Sequence, residues 1–389
     1  MTSVLCAGCR LLLLPCLALA PAAQAAEPTW VPADLHRGLV FLRGTVDGVE
    51  TELVLDSGAG MTVVDERLAA RLELAPGGAV TATGAGGTQA ARFVGGFELA
   101  CGDLALDLRT AVCIDLADVA AAVGREMPLI LGLEAFERHV VDIDYPNARV
   151  AFRPRAGFVY SGPGRALPLT MGKGRLRELE ASVEDLPPAR FVLDTGARGL
   201  ALFGAYTERH RLLEGRAPLS ERESTGVGAS FPSRVATLRS FTLAGYRFTG
   251  VPCGFAEREE GTFASDEHAG NLGASVLARF RVIADFARDT LYLEPAPGWD
   301  TRPFERDRLG LTVRFEEDAL VVRFVAPGSP AARAGWTPGR RIRALQGEAF
   351  TSTTWVEALR RSAEAPPGTR VLLRDDQGVE HELVTADYY

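Results

Sequence analysis

The chain has 389 residues, enough for two or three domains of ordinary size. At 47% hydrophobic and 24% charged residues, it is neither a disordered nor a collagen-like polymer. The net charge of −8 supplies no basic face for nucleic acid, and 41 Gly with 23 Pro favour short strands and turns over long helices.

Residues 1–26 read as a signal peptide. Arg10 precedes the apolar run Leu11–Ala20, and Ala23-Gln24-Ala25 places a cleavage site near Ala25 or Ala26. The run is ten residues broken by Pro15, too short to span a bilayer. Pro15 before Cys16, where a small residue is expected, argues against a lipoprotein. The expectation is an exported protein, periplasmic or secreted, with no transmembrane segment in the mature chain. Cys101, Cys113 and Cys253 remain, an odd number with no CxxC and no metal-ligand spacing. A Cys101–Cys113 bridge and buried free thiols both stay open.

The same unit is then written twice. The first copy runs Glu52-Leu53-Val54-Leu55 into Asp56-Ser57-Gly58-Ala59. A helix-like stretch follows at 65–74, a glycine-rich tip at Thr83-Gly84-Ala85-Gly86-Gly87, and a strand at Phe97-Glu98-Leu99-Ala100. The copy closes with Leu131-Gly132 and Asp144-Tyr145. The second copy runs Arg190-Phe191-Val192-Leu193 into Asp194-Thr195-Gly196-Ala197. Its helix-like stretch is 206–213, its tip Thr225-Gly226-Val227-Gly228-Ala229, its strand Phe241-Thr242-Leu243-Ala244, and its close Leu272-Gly273 with Asp285-Phe286. Asp56 lies 76 residues before Gly132, and Asp194 lies 79 before Gly273. Each glycine then lies 12 residues before an aspartate. The period of 138 is far too long for a solenoid repeat. The spacing predicts two all-β lobes, 36–155 and 165–295.

One Asp-Ser-Gly is a turn after a strand and nothing more. Two at the same place in a duplicate are different. A twofold axis between the lobes brings both turns to one cleft. Two carboxylates about 3 Å apart share one proton. The ionised one acts as general base on a water, and the protonated one bonds the scissile carbonyl. That assigns Asp56 and Asp194 as the catalytic pair. Gly58 and Gly196 let backbone approach the acids. The hydroxyls of Ser57 and Thr195 lock the two turns together across the axis. Gly84, Ala85, Gly86 and Gly87, with Gly226, Val227 and Gly228, form hairpin flaps over a bound peptide. The tips differ in sequence, which leaves open that only one covers the substrate. Arg198, where lobe 1 has Gly60, is a candidate substrate contact. The five histidines form no HExxH and no metal pair, so no metal or cofactor is expected. His268 reads as part of a solvated loop, and Glu257–Glu260 and Asp375–Gln377 as exposed loops or turns.

Pro295, Pro297, Gly298 and Pro303 mark a linker. Beyond it, 305–389 reads as a small α+β domain with strands near 311–313, 320–325, 341–345, 370–374 and 381–384. A helix opens at Ser329-Pro330, and a second spans 354–362.

At these residues the chain resembles the retropepsin-like aspartic proteases, in the bacterial exported form with two fused lobes and a C-terminal PDZ domain. The resemblance rests on the duplicated apolar-Asp-Ser/Thr-Gly-Ala, the glycine-rich tips, Ile130-Leu131-Gly132, and the segment Ala326-Pro327-Gly328-Ser329-Pro330. It implies a mainly β molecule of two closed acid-protease barrels and an aspartic endopeptidase acting on peptides or proteins. It also implies that Leu309-Gly310-Leu311 receive a peptide C-terminus. Both acids belong to one chain, so activity is expected from a monomer. Ala59 and Ala197 stand where pepsin-like lobes often carry a hydroxyl, and the expected pH optimum is therefore mildly acidic to neutral. Arg340 stands where the PDZ pattern has Asp. The alternative is a catalytically inactive periplasmic peptide-binding or scaffold protein on the same fold.

Overall fold

The computed structural model describes residues 28–256 and 261–389. The segment read as a signal peptide and Glu257–Glu260 lie outside the described residues. The molecule is mainly β, with two repeated protease-like domains and a C-terminal domain.

Alternation builds the lobes. Phe97–Cys101 and Leu104–Leu108 each bury every second side chain, so one face packs inward and the other meets water. The hairpin Leu39–Val46 and Val49–Leu55 turns at Asp47-Gly48, both at positive φ, as a tight two-residue hairpin requires.

The duplication is visible in the strand pairings. Strand Leu129–Leu131 lies parallel to Val49–Leu55, with Leu131 opposite Leu55, and antiparallel to Val63–Asp65. In lobe 2, Gly270–Leu272 lies parallel to Ala189–Leu193, with Leu272 opposite Leu193, and antiparallel to Leu200–Phe203. Each acid therefore leaves a central strand flanked by the strand that carries the Leu-Gly of its own copy. Equivalent strands also join the lobes: His139–Asp144 pairs antiparallel with Phe280–Asp285. Fully buried Asp142 accepts from Arg153 at 2.8 Å and from Arg281 of the other lobe at 2.7 Å. One apolar core runs through both lobes.

The linker is packed. Arg279 is 2% exposed, donates to the carbonyls of Trp299 and Arg302, and lies 3.7 Å from the Phe304 ring centroid. The C-terminal domain has a six-stranded sheet and its own core around Leu309, Trp336, Ile342 and Trp355. Ser329 caps its first helix, Pro330–Arg333, by accepting from the Ala332 N–H. Arg340 stacks 4.2 Å over Trp336 and bonds Asp375. The domain docks on both lobes. Arg314 pairs with Asp118, Ser220 donates to the Pro327 carbonyl, and Thr237 donates to the Tyr389 carbonyl.

In two polar segments read as exposed, Asp376, Gln377, Asp266 and Glu267 are exposed, but one residue of each segment is buried. Asp375 is buried and bonds His381 at 2.7 Å. His268 is buried between Ser265 and Glu178, at 2.7 and 2.6 Å. Partners distant in sequence, absent from the local pattern, made the difference. Cys101, Cys113 and Cys253 are buried free thiols.

Candidate active site

The turns after the two central strands meet at the lobe boundary. The Ser57 N–H donates to Thr195 Oγ1 at 2.9 Å, and the Thr195 N–H donates to Ser57 Oγ at 3.1 Å. Ser57 Oγ then donates to the Leu193 carbonyl, and Thr195 Oγ1 to the Leu55 carbonyl, at 2.8 and 3.0 Å. Both hydroxyls are buried and satisfied in both roles. This fourfold knot ties the strand leading to each acid to the other lobe.

The glycines set how closely the acids approach. A Cβ on Gly58 would lie 2.7 Å from Asp194 Cγ, and one on Gly196 would lie 2.2 Å from Asp56 Cγ. Only glycine permits that contact. Asp56 and Asp194 are each half-buried. Asp56 Oδ1 accepts from the Gly58 N–H at 2.8 Å. Asp194 Oδ2 accepts from Asn271 Nδ2 at 2.7 Å.

Burial raises both acids above the ordinary carboxylate range. Asp194 rises well above it, because the charge of Asp56 faces it in addition. The N–H groups of Gly58, Ala59 and Gly196 oppose the rise at Asp56, and those of Ala197 and Gly196 oppose it at Asp194. The two groups titrate as a pair.

Each lobe projects one long hairpin, Ala75–Gly84 with Gly87–Gly95 and Leu219–Gly226 with Ala229–Leu243. Their tips meet: the Gly86 N–H donates to the Val227 carbonyl at 2.9 Å. Ala85 packs on the lobe-2 cluster of Phe203, Phe231 and Phe263, while Val227 packs on the lobe-1 cluster around Phe41 and Ile130. The unequal tips therefore form one bridge, each anchored on the opposite lobe, in place of a single flap.

Arg198 is exposed; its carbonyl accepts from the Ser275 N–H at 3.0 Å, and its guanidinium makes no hydrogen bond or ion pair among the described residues. Protein nonetheless crowds its guanidinium. That crowding, with the charges of Arg37 and Arg222, holds its guanidinium well below its usual range, and Glu305 and Glu364 oppose this. Gly60, its counterpart in lobe 1, faces the Gly174 carbonyl instead.

Leu309, Gly310 and Leu311 lie far along the chain, in the C-terminal domain. The N–H groups of Leu309 and Gly310 donate to the carboxylate of Asp307, at 2.9 and 3.1 Å, and Leu311 pairs with Val325 in the sheet. Tyr388 donates to the same carboxylate at 2.8 Å. These backbone donors are met by the chain's own acid.

An aspartyl protease family model matches the chain twice, over residues 42–135 and 179–276. The double match supports an aspartyl protease family of two lobes. Each match contains one acid, one flap and one Leu-Gly of the protease-like duplicate. No curated protein matches the chain.

Asn271 and Arg37 were not singled out from sequence. Setting Leu129-Ile130-Leu131-Gly132 beside Gly270-Asn271-Leu272-Gly273 shows a polar residue in an otherwise apolar position, and that was the available signal for Asn271. Arg37 sits in a hairpin turn whose Gly38 approaches Ala274 of lobe 2, a contact that no local pattern announces.

Proposed function

We propose that this protein is an exported aspartic endopeptidase, acting as a monomer, with Asp56 and Asp194 as its catalytic pair. The observation that carries the reading is the approach of each carboxyl to the glycine of the opposite turn, fastened by Ser57 and Thr195. The ionised carboxylate takes a proton from a water held between the acids, and the hydroxide attacks the scissile carbonyl carbon. The protonated carboxyl donates to the carbonyl oxygen and stabilises the tetrahedral intermediate. Collapse breaks the C–N bond, the amine leaves with a proton from the dyad, and the pair regains its single proton. The joined flap tips part to admit peptide and close to exclude water.

Arg198 favours an acidic or carbonyl group of the substrate. The C-terminal domain resembles a PDZ module and assists recognition of a substrate or partner. A peptide C-terminus entering at Leu309, Gly310 and Leu311 must displace Asp307.

The test is cleavage of a peptide library across pH by the mature chain. Turnover is expected in mildly acidic to neutral buffer and should vanish in both Asp56→Asn and Asp194→Asn. A maximum in strongly acidic buffer would contradict the expected pH range. Folded protein that binds peptides but cleaves none would favour the non-catalytic binder.

A further inference from the structure

Asn271 and Ile130 occupy the same position in the two copies. Each precedes Leu-Gly, and each lies opposite the residue two before the acid, Val192 and Val54 respectively. Ile130 is buried in an apolar cluster with Phe41 and Val54. The fold therefore accepts an alkyl side chain at this place. Asn271 is 5% exposed, and its Oδ1 is buried with no hydrogen-bond partner among the described residues. Burying an unpaired acceptor is unfavourable. Packing alone gives no reason for an amide there.

What the amide does is donate. Its Nδ2 lies 2.7 Å from Asp194 Oδ2. No side-chain amide or hydroxyl donates to Asp56 among the described residues. Ala59 and Ala197 carry no hydroxyl that could do so in either lobe. Backbone N–H groups serve both acids, and Asn271 adds a side-chain amide donor to Asp194 alone among the described residues. The other titratable groups facing Asp194 are Asp56 and the buried phenol of Tyr145, which burial keeps neutral.

We infer that Asn271 is a positioning residue that stabilises the charged form of Asp194 and thereby sets the pH window in which the dyad carries one proton. The inference rests on the proposed pairing of Asp56 with Asp194. A donor to a carboxylate favours its ionised form. Replacing it by alkyl makes the ionisation of Asp194, the more raised acid, harder, so the upper limb of the window moves to higher pH.

The test uses the full-length mature protein with carbon-13 at aspartate carboxyls, titrated by NMR without substrate. Asn271→Ile installs the lobe-1 side chain and should raise the titration of the dyad by about one pH unit. The double variant Ile130→Asn/Asn271→Ile moves the amide to the Asp56 side and should return the titration toward wild type. A purely structural role for Asn271 predicts no such rescue. Folded Asn271→Ile with an unmoved titration would overturn the inference, as would a folded double variant that fails to recover. If Asn271→Ile does not fold, Ile130→Asn alone decides: it should lower the titration by about one unit, and no movement counts against the inference. Because no substrate enters, a protein that cleaves nothing still answers this question. The peptidase reading fails separately, in the cleavage assay.

Discussion

Ser57 and Thr195 show how few atoms hold the two halves of the site in register. Each hydroxyl donates to one buried carbonyl and accepts from one buried N–H across the lobe boundary. Ser57→Ala strands the Thr195 N–H and the Leu193 carbonyl, and should lower unfolding free energy in urea by about 2–4 kcal/mol. The acids themselves work against stability. A carboxyl raised in the folded state contributes stability below its unfolded value and loses it as pH rises through the folded one. Both acids are raised by burial. Asp194→Asn removes that liability. The variant should melt level with wild type near pH 4 and several degrees above it near pH 8. A melting difference that does not grow with pH would contradict the raised titration of Asp194.

The flap hairpins owe their meeting to glycine. A Cβ on Gly86 would stand 2.2 Å from the Ala229 backbone, and Gly228 lies at φ +107° against Gly87. Gly86→Val should therefore force the tips apart without disturbing the lobe cores. Its kcat/KM is expected to fall by about tenfold or more with melting unchanged, because closure and water exclusion are lost while the dyad is intact. The C-terminal sheet depends on a different local device. Asp375 accepts from the Gln377 and Val379 N–H groups and bonds His381 and Arg340. The His381 contact, with those N–H groups and Arg340, holds its carboxyl down at about 2. Its stabilising effect is present above the ordinary carboxylate range and fades as pH falls toward 2. Asp375→Asn should lower the melting temperature at neutral pH and narrow that gap in strong acid.

Across the whole molecule, paired strands and a buried ion cluster join the lobes. Asp142 is fully buried, with Arg153 and Arg281 converging on it from the two lobes. Asp142→Ala leaves two arginines without their shared partner and should cost about 3–5 kcal/mol in urea unfolding. The C-terminal domain touches both lobes, with Tyr388 and Tyr389 buried against Val235 and Ala326. Deleting residues 305–389 removes those contacts and the Glu305 and Glu364 charges near Arg198. The truncated chain should still cleave short peptides but lose the native target, if that domain selects the substrate.

The duplicate, the all-β lobes and the candidate acids were legible in the chain because strand alternation, Asp-Ser/Thr-Gly turns and equal spacing are local or periodic. The knot at Ser57 and Thr195 followed from symmetry alone. Other features depended on partners that no spacing announces: the Asn271 donor to Asp194, His268 buried against Glu178, Asp307 occupying the loop at Leu309 and Gly310, and each flap tip resting on the opposite lobe. Sequence by itself determined what each copy is. The tertiary structure decided how the copies differ, because a side chain's chemistry depends on groups that only folding brings within bonding distance.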